Sequence, residues 1–303
     1  MDWVEIVIKV PSQSTEVVMA VMGDYCYGGV VAEPALVHVA GSEEPVFADD
    51  EDDTVKGYVS LDGSAEQVRL LLRESICAVC QPTTYDEHTI REDDWSAAWK
   101  RHSRIQRVGM RLVVCPSWKK HLVRPGDIVI TIDPGMAFGT GDHWTTRSCL
   151  RALETHLPTR ADRVVDIGTG SGILAIAAAK LGAAAVLAAD TDLFAVQAAA
   201  ENCARNNVAD IVQVKAGSVE QLESCGWSRG TVDLLVANLN SALHLQLGEE
   251  MLACVMPGGV MIASGIGAPA ARSVKAHYRG LGAALIASRN NGEWHTLVLR
   301  KAL

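Results

Sequence analysis

No run of about 18 or more uncharged apolar residues occurs in the 303-residue chain, and that absence argues against a membrane-spanning helix. The most apolar stretch, residues 173–189, is interrupted by Lys180 and Gly182 and reads as helix, turn and strand. The opening MDWVEIVIKV lacks the basic-then-apolar order of a secretory leader; it carries acids and alternates like a strand. Among eight cysteines there is one C-x-x-C pair, Cys77 and Cys80, and no second pair to complete a zinc site. Buried, reduced thiols in a cytoplasmic protein are the expectation. Internal repeats and low-complexity tracts are missing too.

What is present is ordinary for a globular protein in bulk, 49% hydrophobic and 21% charged, but its net charge of −9 is unevenly spread. Residues 1–80 hold 15 acids against four bases, a balance of −11, which leaves +2 for the rest. An acidic amino-terminal part disfavours nucleic acid and suits a basic partner. Within it, the run Asp49–Asp53 reads as a solvated loop.

Along the chain, residues 3–10 alternate as a strand, 14–22 read as a helix, and 29–33 and 55–61 as strands. Ser64 is placed to cap a helix over Ala65–Val79. That order fits a small α+β domain of the ferredoxin-like kind over residues 1–80. Residues 91–124 carry nine bases, three acids, and Trp95, Trp99 and Trp118. We read 81–124 as a linker whose tryptophans pack and whose charges face solvent. From 125 to 303, strand and helix alternate, with strands expected at 164–166, 184–189, 211–214, 232–237 and 260–264. Helices are expected to begin near Ser171, Leu193, Ser241 and Pro269, which gives a doubly wound, mostly parallel sheet. Residues 285–288 and 294–299 flank the turn Asn290-Asn291-Gly292 and close it, with an antiparallel last strand.

The most telling residues are RVVDIGTGSG, 163–172: a β-branched strand ending in a carboxylate, then Gly168, Gly170 and Gly172 opening an alanine-rich helix. A second strand ends in Asp190, 24 residues beyond Asp166. This is a nucleotide-binding crevice, with glycines for close backbone approach and a carboxylate for ribose hydroxyls. The G-x-G-x-G spacing and the carboxylate before the loop disfavour a pyrophosphate. A phosphate-free cation fits instead, so S-adenosylmethionine is the expected cofactor, with Asp166 at its ammonium and Asp190 at its ribose.

The fourth strand ends in VANLN, placing Asn238 at the crevice beside the methyl donor, without the prolines and aromatic that accompany nucleobase methylation. Upstream, IDPGMAFGTGDHWTT, 132–146, offers Phe138 to face a sulfonium and Thr146, at a helix start, to bind a carboxylate. His143 there is given a bracing role, since no second ligand-spaced residue makes it a metal site.

These three motifs and WKRHSRIQRVGMRLVVCPSW together resemble the PrmA family, methyltransferases of large-subunit ribosomal protein L11, over residues 90–303. Ahead of residue 90 the likeness lies in length and element order. The resemblance implies a class I S-adenosylmethionine-dependent methyltransferase fold and a first domain that recognises the ribosomal protein. It also implies that Thr146, Gly168, Asp190 and Asn238 match cofactor positions, and that α-amines and lysines are both targets, with repeated methylation of one nitrogen. Chemically, an α-amine exposes its lone pair near pH 7.4 at well under 1 kcal/mol, whereas exposing a lysine lone pair costs about 4 kcal/mol.

Overall fold

A computed structural model of the chain describes all residues except 1–2, 24, 34–35, 38–45, 48–51, 62–64, 91–103, 134–140, 142 and 160. Two compact units result, Met1–Ser103 and Arg104–Leu303. No helix of the described residues is long and apolar enough to cross a membrane.

The first unit is built on β1 (Trp3–Pro11), α1 (Thr15–Gly23), β2 (Tyr27–Glu33), β3 (Leu36–Val37), β4 (Val46–Phe47), β5 (Asp52–Ser60), α2 (Ala65–Val79) and β6 (Thr84–Ile90). Its main sheet has the antiparallel order β2-β5-β1-β6, a ferredoxin-like arrangement. Alternation along β1 sends Val4, Ile6, Ile8 and Val10 to one face, where Val55 and Val59 of β5 join them. Val18 and Met22 of α1 and Leu72 and Ile76 of α2 close that core.

Three expectations change here. β6 pairs with β1 along seven residues, so 84–90 belong to the first sheet and not to a linker. Asp52 and Asp53 are not loop: they begin β5, and Asp53 is buried, accepting hydrogen bonds from Ser12 Oγ (3.1 Å) and Thr15 Oγ1 (2.7 Å) at the start of α1. Cys77 is exposed, because α2 turns only one stripe toward the sheet, and Cys80, just past the helix end, is half-buried. Ser64, Trp95 and Trp99 lie outside the described residues.

The second unit begins with a three-stranded sheet, β7 (Gln106–Val108), β8 (Leu112–Cys115) and β9 (Ile128–Thr131), in which β8 and β9 run parallel. Residues 104–124 are thus part of this unit. Leu112, Val113 and Val114 are buried, and Glu154 accepts the backbone N–H groups of Met110 and Arg111, both at 2.7 Å.

Then follow α3 (Trp144–His156), β10 (Arg163–Ile167), α4 (Ile173–Leu181), β11 (Ala185–Asp190), α5 (Leu193–Arg205), β12 (Val212–Ala216), α6 (Gln221–Ser224) and β13 (Val232–Asn238). α7 (Ser241–Cys254), β14 (Val255–Gly267), α8 (Ala271–Gly280), β15 (Ala283–Asn290) and β16 (Trp294–Lys301) complete it. The seven-stranded order is β12-β11-β10-β13-β14-β16-β15, parallel except at β16. The doubly wound sheet read from the sequence is present, with its antiparallel last strand.

Both faces of this sheet are covered, so successive residues of each central strand alternate between two cores. Val164, Val186, Leu234 and Val236 face one, Val165, Leu187, Leu235 and Ala237 the other. Pro269 lies in a 3-10 turn, Ala268–Ala270, and α8 starts after it.

Candidate active site

Strand order reverses at β10, whose neighbours are β11 on one side and β13 on the other. Crevices form outside the carboxyl ends of the strands at such a point. Register places Ile167 opposite both Ala189 and Ala237, so the following residues, Gly168, Asp190 and Asn238, stand in one row across three strands. At a strand spacing of about 4.8 Å, Asp190 and Asn238 are roughly 10 Å apart.

The glycine loop leaves β10 with left-handed backbone at Gly168 (+70°), Gly170 (+55°) and Gly172 (+81°). A Cβ on Gly172 would stand 3.1 Å from the Cα of Ala199, so α5 lies directly on the loop, and one on Gly168 would overlap the Leu239 side chain. Asp190 fastens the other side. Its Oδ2 accepts from Gly170 N at 2.8 Å and its Oδ1 from Asp192 N at 3.1 Å. A carboxylate has about four lone-pair sites, so two stay open to a ligand's hydroxyls. Asp190→Ala therefore removes the anchor of the glycine loop together with the acceptor expected to meet a ribose. Titration calorimetry should show cofactor affinity down tenfold or more, and an unchanged affinity would remove Asp190 from the site.

Asp166 is fully buried. Its Oδ2 accepts from Thr169 Oγ1 (2.7 Å) and from Ala175 N (3.1 Å). Burial pushes its carboxyl up to about 7 against the pull of those two hydrogen bonds, and the Asp190 charge adds to the rise. Oδ1 has no hydrogen-bond partner among the described residues. Neither have Thr146 Oγ1 and Asn238 Oδ1, both buried. Thr146 sits in the first turn of α3, whose N-cap, His143, accepts from Thr145 N through Nδ1 at 3.4 Å and also meets Thr145 Oγ1 at 2.7 Å. Native folds rarely leave buried polar atoms unpaired, so these three await a partner that the described residues do not supply. Phe138 lies outside the described residues.

Sequence reasoning missed a bracing network behind Asn238. The Ser264 carbonyl accepts from Leu239 N (3.0 Å) and from His244 Nε2 (2.8 Å), so His244 carries its proton on Nε2. Its Nδ1 then accepts from Tyr278 OH at 2.9 Å. Burial holds this imidazole down at about 4, neutral in the fold. Unfolded chains protonate a histidine below about 6.5, so this contribution is intact above that pH and is lost as pH falls toward 4. His244→Ala should cost about 2–5 kcal/mol at pH 8 in urea unfolding, with a smaller loss at pH 5. An equal loss at both would place the histidine's role in packing alone. A second unlooked-for neighbour is Trp294 at the start of β16, edge-on to His143 with ring centres 5.3 Å apart. Nothing in local spacing signals either contact, since the partners are remote in sequence.

The profile of one family, "Ribosomal protein L11 methyltransferase (PrmA)", matches residues 2–302. A ribosomal protein L11 methyltransferase of Chloroflexus aurantiacus is 39% identical, the alignment covering 99% of this chain and 98% of the relative. One from Pelotomaculum thermopropionicum is also 39% identical, with 99% of both chains covered. Among solved structures, a ribosomal protein L11 methylase from Lactobacillus delbrueckii subsp. bulgaricus superposes with a TM-score of 0.60 at 31% identity, covering 66% of this chain and all, 100%, of that one. With the switch-point crevice and a match over nearly its whole length, the chain belongs to the ribosomal protein L11 methyltransferase (PrmA) family.

Proposed function

We propose that the protein transfers methyl groups from S-adenosylmethionine to amine nitrogens of ribosomal protein L11, both the α-amine and lysine ε-amines. The carrying observation is the pair of buried, unpaired oxygens on Asp166 and Asn238 at the switch point, with a third on Thr146 in the first turn of α3. Those three atoms suit a ligand with an ammonium, a carboxylate and a reacting centre better than one with phosphates, which Asp166 and Asp190 would repel. Asp166 Oδ1 would take the ammonium and Thr146, at the positive end of a helix, the carboxylate. Asp190 would hold the ribose, Gly168, Gly170 and Gly172 the methionine and sugar, and Phe138 the sulfonium. When bound, S-adenosylmethionine supplies a methyl group on a cationic sulfur.

Asn238 is the residue we place beside the acceptor. Its Oδ1 would accept an N–H of the incoming amine and so aim the nitrogen lone pair at the methyl position, where alignment can supply roughly 7–11 kcal/mol of the barrier. An amide is no base, so deprotonation falls to the environment: a lysine must give up its proton at about 4 kcal/mol, while an α-amine gives it up at well under 1 kcal/mol. An apolar crevice lowers the lysine's share.

The −11 balance of residues 1–80 suits a basic ribosomal protein as partner of the first unit, and the setting we propose is the cytoplasm. Affinity for L11 should accordingly fall as salt rises from 50 to 500 mM; equal affinities would refute charge steering (~10 Å screening length at 0.1 M). The decisive assay is mass spectrometry of purified L11 after incubation with the enzyme and deuterium-labelled donor. Label on its amino terminus and lysines is expected. Labelling of other proteins or small amines in an L11-free extract, with none on purified L11, would replace the substrate.

A further inference from the structure

Two asparagines one helical turn apart, Asn202 on α5 and Asn206 at its C-cap, are buried as deeply as core residues: Asn202 is 1% exposed and Asn206 5%. Asn202 makes all four hydrogen bonds its amide allows. Oδ1 accepts from Asp133 N (3.2 Å) and Arg205 Nη1 (2.6 Å), and Nδ2 donates to the carbonyls of Asp133 (3.3 Å) and Ser171 (2.9 Å). Asn206 repeats the pattern two residues earlier on the facing segment. Its Oδ1 accepts from Thr131 N (2.9 Å) and its Nδ2 donates to the Thr131 carbonyl (2.6 Å) and to the Asn202 carbonyl (2.8 Å).

Each side-chain amide thus stands in for the peptide group of a missing neighbouring strand. The periods agree: four residues of helix rise about 6.0 Å and two of strand about 6.6 Å. Arg205 Nη2 adds an ion pair to Asp133 Oδ2 at 3.2 Å. The Asn202 bond to Ser171 then joins this clamp to the glycine loop, against which α5 already packs through Ala199 and Gly172.

We infer that Asn202 and Asn206 are positioning residues of the cofactor site, holding the end of β9 and the glycine loop in one fixed spacing. They touch neither cofactor nor substrate in this scheme; they act through Ser171 and Asp133. The inference rests on the S-adenosylmethionine assignment, and its test separates the two.

The test titrates S-adenosylhomocysteine into the full-length wild type, Asn202→Asp, Asn206→Asp and Val274→Ala, with melting temperatures measured in parallel. Val274 is a fully buried residue of α8 on the other face of the sheet, and serves as a destabilised control. Asn202→Asp keeps size but loses the donor to both carbonyls, and its affinity should drop at least tenfold. Asn206→Asp should drop about threefold, and Val274→Ala should melt lower with affinity within twofold of wild type. KM for the donor should rise in both asparagine variants while KM for L11 holds. Asparagine variants that melt lower yet bind like wild type would overturn the inference, and if Asn202→Asp does not fold, Asn206→Asp decides by the same comparison. A wild type that fails to bind the ligand would refute the cofactor assignment instead.

Discussion

Asp166→Asn should make the folded protein harder to unfold above pH 7 and a poorer binder of its cofactor. In the wild type the carboxyl is fully buried and pushed up to about 7, far above the roughly 3.9 of an unfolded aspartate. Between those two values the folded protein holds a proton that the unfolded chain has released. This group's contribution is therefore complete below about pH 4, falls as pH rises through the window, and levels off above 7. About three pKa units at 1.36 kcal/mol each make the loss on the order of 4 kcal/mol. Asparagine keeps an oxygen for Thr169 and Ala175 and has no charge to desolvate. Urea unfolding should show it more stable than wild type at pH 8 and nearly equal at pH 4.5. In the proposed pose a cationic ammonium beside Oδ1 would offset the desolvated carboxylate, so the same change should weaken binding about 10- to 100-fold, as for a charge-assisted hydrogen bond of roughly 1.5–3 kcal/mol. Equal stability effects at both pH values would show that the carboxyl is ionised throughout.

Gly265→Ala should abolish turnover more completely than it weakens cofactor binding. Gly265 has φ +79° within β14, where the ladder with β16 shifts register. A Cβ there would overlap the Leu239 carbonyl and stand 3.1 Å from Asn238 Oδ1. Relief requires the Asn238–Leu239 backbone to move, and the strain amounts to about 1–3 kcal/mol before any displacement. A shift of about 1 Å in a positioning group can cost on the order of 100-fold in rate. The expected result is kcat reduced at least 100-fold, with cofactor affinity within fivefold, since Asp190 stands on β11, across β10 from Asn238, and its bond to Gly170 N is untouched. Affinity falling as far as kcat would mean that Asn238 serves the cofactor more than the acceptor.

What could be read in advance followed from local pattern. The strand Arg163–Ile167, the glycines after it and Asp190 announce themselves by residue type at short range, and right-handed crossovers then constrain the sheet. The end of the chain was legible for the same reason: Asn290-Asn291-Gly292 marks a turn between two apolar runs. β6, TYDEHTI, was hidden because it is an edge strand with Thr84, Asp86, Glu87, His88 and Thr89 all exposed, so no alternation shows. β7, β8 and β9 are three or four residues long and were lost among the surrounding bases. Asn202 and Asn206 look like the polar face of a surface helix, and only Thr131 and Asp133, some 70 residues earlier, reveal them as core (sequence separations of 75 and 69). His244 was invisible on the same ground, its partners being Ser264 and Tyr278. Local chemistry is written locally; the brace that holds it is not.

Calorimetric titration of the wild-type protein with S-adenosylmethionine and, separately, with NAD, in two buffers of different ionisation enthalpy at pH 6.5, bears most directly on the pocket. Binding of the sulfonium compound with release of a proton from Asp166, and no heat from NAD, is the predicted result. Tight binding of NAD with none of S-adenosylmethionine would contradict the assignment of this crevice to a phosphate-free cation.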